Sequence, residues 1–263
     1  MNNETNLNSQ VSDVLVDRRS FGGNLRSIPL ITGATALAAS SEWTLSSVTG
    51  NASLSSAFEI NNGRVGQSFV MAATNPTTLS WSGNAQAVAF ATVGDELVYE
   101  YELAFDATFA PLTGFFLGLT SSTAPVFNDT IASGTLPDAL GFHKATTATS
   151  VSFVTRTGTG TASAIAIPGL VFASSTRYLL RFSIRKTADS ATSAVYRVQV
   201  IENALSNGGT VSGTGKTYVL EGTTSVLPAT TTPLYQAGAF AKASAGLNKL
   251  WVFGDALRFV TKA

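Results

Sequence analysis

ELVYEYELAFD, residues 96–106, decides how the rest of this chain is read. Leu97, Tyr99, Tyr101, Leu103 and Phe105 fall at every second position, with Glu96, Glu100 and Glu102 between them. A strand sends successive side chains to opposite faces, so a period of two predicts a strand with one apolar and one polar face. A helix would scatter the same residues around its surface. The polar face of such a strand is expected to be solvated, which makes Glu100 and Glu102 surface residues in this reading.

Outward from this stretch the same character repeats. Short β-rich runs at 55–60, 67–73, 78–82, 85–92, 113–120, 139–144, 151–156 and 161–167 are separated by Gly, Ser, Thr, Asn or Pro. Further runs follow at 177–186, 194–202, 217–221, 235–242, 250–253 and 256–260. In 177–186, Tyr178, Leu180, Phe182 and Ile184 oppose Arg177, Leu179, Arg181, Ser183 and Arg185; in 194–202, Tyr196, Val198 and Val200 oppose Val195, Arg197, Gln199 and Ile201. So many short strands at close spacing predict an all-β, two-sheet antiparallel sandwich, because a flat open sheet of that size curls or splits. No window carries a capped helical stripe; 35–40 offers at most one helical turn. No shift of composition after residue 42 marks a second domain, so 42–263 reads as one sandwich led by an extended N-terminal arm, 1–41. NGGTVSGTG, 207–215, reads as a loop.

Composition narrows the function. Charged residues make up 12% of the chain, about half the usual share, and 16 basic residues balance 16 acidic ones. Nucleic-acid binding rests on clustered Lys and Arg, so DNA or RNA is not the expected partner. There is no cysteine and one histidine, His143, which removes disulfides, cysteine zinc sites and multi-histidine metal sites. No apolar run approaches the roughly 18 residues of a membrane-spanning helix, and no membrane partner is expected.

The N-terminal segment has two readings. Arg18-Arg19-Ser20-Phe21 matches the core of a twin-arginine export signal, with 28–39 as its apolar region, and would make the protein exported or extracellular. Asp17, Asn24 and Arg26 crowd that motif, and Pro29, Thr32, Gly33 and Thr35 thin the apolar run. The favoured reading is an arm that orders on a neighbouring subunit. Phe21 and Ile28 are then its apolar anchors, and Arg18, Arg19 and Arg26 pair with acidic groups.

Catalytic motifs are scarce. Glu100 and Glu102 share a strand face, as paired carboxylates of a glycosidase do, but alternation already explains both. The Glu-x-Asp-x-x-Glu pattern of sandwich glucanases is absent. His143 beside Asp138 lacks a nucleophile elbow. GTGKT at 213–217 has Val211 where a phosphate loop needs glycine and no helix after it. Asn128-Asp129 and Asp138 do not make up a calcium set. Trp43, Trp81 and Trp251 remain: exposed tryptophans stack on sugars and buried ones fill cores. Trp81 and Trp251 read as core, with Trp43 and Trp81 the glycan candidates of an alternative, lectin-like reading. No catalytic residue, metal ligand or cofactor is expected.

The stretch 95–202 with the closing strands 235–260 resembles a concanavalin-like or laminin-G-like jelly roll. The likeness is carried by DELVYEYELAF, FFLGLTSS, LPDALGFHK, SVSFVTRTG and the pair RYLLRFSIRK and VYRVQVIEN. Members rich in Ser, Thr, Ala and Gly, without cysteine or catalytic motif, resemble virion proteins of tailed bacteriophages, of the capsid decoration, cement or fibre type. That resemblance implies a non-enzymatic structural protein on the outer surface of a virion. Its partners would be a major capsid protein or neighbouring copies in a homo-oligomer or multi-copy assembly. The alternative it implies is a carbohydrate-binding receptor-binding or tail-fibre protein, or an exported lectin, with a glycan as partner.

Overall fold

The computed structural model describes residues 25–26, 43–49, 58–61, 64–71, 77–86, 88, 90–107, 113–123, 127, 129–131, 136–158, 162–188, 193–203, 215–228, 233–242 and 248–261. Its strands, in chain order, begin with β1 (Leu25–Arg26), β2 (Trp43–Thr49), β3 (Phe58–Asn61), β4 (Arg64–Met71) and β5 (Thr77–Gln86). Then come β6 (Glu96–Phe105), β7 (Thr113–Thr120), β8 (Ala139–Lys144), β9 (Ser152–Arg156) and β10 (Ala162–Ala166). The series closes with β11 (Arg177–Lys186), β12 (Ala194–Glu202), β13 (Thr217–Thr224), β14 (Leu234–Lys242) and β15 (Asn248–Val260).

These strands form two antiparallel sheets. The first runs β13-β12-β11-β6-β15-β4-β3, with β1 paired to β15; the second runs β10-β9-β8-β7-β14-β5-β2. This is the expected all-β, two-sheet antiparallel sandwich. Among the described residues no helix is long and apolar enough to cross a membrane.

The alternation in 96–106 sets the core. Leu97, Tyr99, Tyr101, Leu103 and Phe105 meet Tyr178, Leu180, Phe182 and Ile184 of β11 and Tyr196, Val198 and Val200 of β12. From the facing sheet come Phe115, Leu117 and Leu119 of β7, Phe142 of β8 and Phe153 of β9. The rings interlock: Phe153 lies 5.2 Å from Phe182 and 5.1 Å from Tyr196, and Phe172 lies 4.3 Å from Tyr178. Aromatic pairs at such distances add about 0.5–1.5 kcal/mol each beyond their buried area.

The outer faces depart from the expectation of one dry and one wet side. The second sheet presents small residues outward, with Gly118 opposite Gly141 and with Ala139, Ala237 and Ala239 nearby. Phe127 and Leu136 from the β7–β8 connection pack onto this surface with Phe116. Arg156, fully buried, fastens that connection by donating to the carbonyls of Ile131 (2.7 Å) and Leu136 (2.9 Å). Among the described residues of the first sheet, β13 is wet, alternating between exposed and half-buried.

Three local features differ from the sequence reading. The runs 250–253 and 256–260 are one strand, β15; Gly254 marks a bulge against β6 rather than a break. The run 85–92 contributes only its start, to β5. β1 falls within the stretch read as an arm and pairs with β15, Leu25 opposite Ala256 and Arg26 opposite Asp255.

Candidate functional site

At one end of the first sheet, β6 finishes, β11 begins and β15 is entering. Three backbone hydrogen bonds knit these segments: Phe105 N–H to Thr176 O (3.1 Å), Ser175 N–H to Asp106 O (3.0 Å) and Asp106 N–H to Lys249 O (3.1 Å). Ser175 takes a left-handed φ of 55°, a conformation non-glycine residues adopt sparingly, and the turn is held there by these bonds.

Strand register puts Arg177, Ala104 and Trp251 in one row across the outer face. Neighbouring strands lie about 4.8 Å apart, so the large side chains stand about 10 Å apart over a methyl group. The result is a hollow of about 280 Å³ lined by Ala104, Phe105, Asp106, Ala107, Ser175, Thr176, Arg177 and Trp251. Trp251 is half-buried, and the Lys249 ammonium sits 5.0 Å from its ring centroid. Beneath this surface the Arg177 guanidinium lies 3.6 Å from the Glu102 carboxylate, both side chains 1% exposed. An indole, a carboxylate, hydroxyls and exposed backbone around a shallow opening can stack on a ring and hydrogen-bond its polar substituents.

The sequence reading assigned Trp251 to the core, and the structure corrects this. Leu250 is the buried member of the pair and Trp251 the outward one, as the period of two within KLWV already allows. The tryptophans named for glycan binding lie in the other sheet. Trp43 opens β2 opposite Gly83, and Trp81 sits in β5 opposite Leu45 and Gly238. They are on adjacent strands and are not brought to the hollow. Of the arm residues, Arg18, Arg19, Phe21 and Ile28 lie outside the described residues; Arg26 is in β1.

Glu100 and Glu102 are not solvated. Each is 1% exposed. Glu100 pairs with Arg181 (3.1 Å), which also donates to Gln199 (3.0 Å). Both carboxylates are paired with guanidinium groups of β11, an arrangement that ties β6 to its neighbour. Alternation assigned the side of the sheet correctly; it carries no information on what covers that side.

His143 and the neighbouring carboxylates are engaged in packing and hydrogen bonds. The imidazole stacks on Phe127 at 5.6 Å. Asp129 accepts from the Thr146 N–H (2.6 Å) and hydroxyl (2.8 Å). Asp138 accepts from Gly158 N–H (2.9 Å) and the Ser121 hydroxyl (3.1 Å). No group of three metal-ligating side chains occurs among the described residues.

Lys144 is buried beside them, donating to the carbonyl of Thr113 (3.0 Å). Burial pulls its amine down to about 8, partly offset by Asp129. Its native form therefore sheds a proton before the unfolded chain does, and stability should rise with pH from about 8 toward 10.5. The expected gain is on the order of 2 kcal/mol between pH 8 and 10. Above pH 10 the sign reverses, because burial raises Tyr178 to about 12 and the unfolded tyrosine ionises first. Urea unfolding at pH 8, 9 and 10 should show the rise in the native protein and its loss in Lys144→Met.

No protein-family model matches the chain, and no curated protein matches it either. Solved structures that resemble it include the carbohydrate recognition domain of Emp47p, 12% identical over 88% of this chain and 93% of that one, TM-score 0.48. Peanut lectin is 11% identical over 84% and 93%, TM-score 0.44. A protein of unknown function, SO2946 from Shewanella oneidensis MR-1, is 17% identical over 84% and 81%, TM-score 0.47. At these identities the likeness concerns architecture alone.

Proposed function

We propose that this protein is a non-enzymatic carbohydrate-binding sandwich whose sugar site is the hollow beside Trp251. The observation that carries the reading is the outward indole at the rim of a 280 Å³ opening whose other walls are Asp106, Ser175, Thr176 and Arg177. Indoles stack on sugars because sugars present both apolar ring faces and hydroxyls. The ion-paired state of Glu100 and Glu102 supports binding over hydrolysis, which needs carboxylates facing one another across the scissile bond.

The virion reading draws on the arm. Of that segment Leu25 and Arg26 are described, and they pair within the same chain. Attachment to a capsid has no further observation in its favour, whereas the hollow supplies one for a glycan.

A glycan-array screen of the full-length protein tests the proposal. Saturable binding to at least one sugar is expected, weakened at least about tenfold in Trp251→Ala, with the unfolding midpoint of that variant recorded alongside to separate lost binding from lost fold. Equal binding by Trp251→Ala would remove the hollow from consideration.

A further inference from the structure

We infer that β13 is the seam at which two copies of this chain join, edge to edge, into one continuous sheet. The pairing does not depend on the carbohydrate reading. β13 ends the first sheet, and among the described residues it pairs with β12 alone. The Glu202 N–H donates to the carbonyl of Lys216, directly opposite it, at 2.9 Å. Bonded pairs alternate along an antiparallel ladder, so Tyr218, Leu220 and Gly222 also bond inward to β12. Thr217, Val219, Glu221 and Thr223 therefore turn their N–H and C=O groups to the open side. All four residues are exposed. Edges that must stay single carry Lys, Pro, a bulge or an inward charge, or are kept short. β13 is 8 residues long, has neither Pro nor Lys, and keeps an unbroken register with β12. Its one charge, Glu221, is paired with Arg197 of its own sheet at 3.2 Å. Val219 is 43% exposed, and with Val171 it makes up the large apolar side chains left exposed among the described residues.

The occupant follows from the strand's fit to itself. Laid antiparallel on a second copy about Leu220, Thr217 meets Thr223, Val219 meets Glu221, Tyr218 meets Gly222 and Leu220 meets Leu220. The open-side residues then exchange about eight backbone hydrogen bonds. On the inner side the Tyr218 ring covers Gly222 of the second copy, as aromatics do for an edge glycine. That position is bare in each chain because a Cβ there would come within 2.5 Å of the Tyr196 hydroxyl. No like charges oppose one another. Centring the pair on Glu221 would set two carboxylates face to face, which is destabilising. Centring it on Val219 would run Thr223 past the start of the strand and lose bonds at both ends. A two-fold axis through Leu220, perpendicular to the sheet, also leaves both outer faces, each with its Trp251, on the same side.

The test is sedimentation velocity of the full chain over a concentration series, with circular dichroism to show that each variant is folded. The expected species is a reversible dimer. Val219→Glu places like charges opposite Glu221 of the second copy and should raise the dimer Kd at least about tenfold. Val219→Lys places opposite charges there and should leave the Kd within about threefold, or tighter. The native chain has no cysteine, so a single introduced one reports its own neighbour. Opposed Cα atoms of a non-bonded pair lie about 4.5 Å apart, within disulfide reach, so oxidation should link Leu220→Cys into a covalent dimer. Thr223→Cys, which faces Thr217 and not itself, should stay unlinked. A chain that is monomeric throughout the series, or an assembly that Val219→Glu leaves intact, overturns the inference. So does equal weakening by Val219→Glu and Val219→Lys without a Leu220→Cys cross-link, which would give the β13 edge to some other strand.

Discussion

Gly118→Ala is expected to cost at least about 3 kcal/mol, a large share of the 5–15 kcal/mol that holds a domain folded. Gly118 and Gly141 face each other across β7 and β8. A methyl group on Gly118 would press into the Leu140 carbonyl and come within 2.7 Å of the Gly141 Cα. A methyl on Gly141 would meet the Leu117 carbonyl and come within 2.8 Å of the Gly118 Cα. These obstacles are backbone in the middle of a hydrogen-bonded sheet, so no side-chain rotation relieves them. Separating the strands would also disturb the Phe127–Leu136 cover packed on that face. Gly158→Ala is the control: its added methyl meets nothing within 4 Å, and only its φ of +53° counts against it, about 1 kcal/mol. Urea unfolding of the three variants checks the ranking. A Gly118→Ala protein as stable as the native one would mean that the β7–β8 register is wrong.

The second large effect belongs to the buried ion pair of Arg177. Glu102→Ala should cost about 3–5 kcal/mol, because it removes the carboxylate ion-paired with Arg177 and leaves that guanidinium buried. Coulomb attraction at the surface is worth far less. Glu221 pairs with Arg197 at 3.2 Å, but those side chains are 61% and 62% exposed, and Glu221→Ala should cost under about 1 kcal/mol. The two pairs have similar separations, so burial alone separates the predictions. Denaturant midpoints for both variants decide it; equal losses would show that the β6–β11 outer face is open to water. Glu102→Ala should also disturb any ligand in the hollow, since Arg177, its partner, lines the opening.

Much of the architecture was legible in residues 96–106. The alternation there, repeated in 177–186 and 194–202, grouped on one face the residues of β6 and β11, and Tyr196, Val198 and Val200 of β12, that the structure places in the core. What alternation leaves out is the layer beyond each face. That is why Glu100 and Glu102 read as solvated when both are buried in ion pairs. The cover of the second sheet was hidden for a related reason: Phe127, Leu136 and Arg156 act together only once the β7–β8 connection folds back, and nothing periodic marks that in sequence. Within LWVFGD, four consecutive apolar residues masked a simple alternation, and Gly254 looked like an ending when it is a bulge. Trp251 was therefore taken for core. The hollow itself depends on cross-strand register, which joins Arg177, Ala104 and Trp251 from three distant parts of the chain.

The central claim is that Trp251 meets a sugar. The chain has three tryptophans, so an amide–indole NMR spectrum carries three indole N–H signals, assignable by single Trp→Phe replacements. Titrating in the best glycan from the array should move the Trp251 signal and leave those of Trp43 and Trp81 in place. Shifts confined to Trp43 or Trp81, with Trp251 still, would contradict the account and move the site to the other sheet.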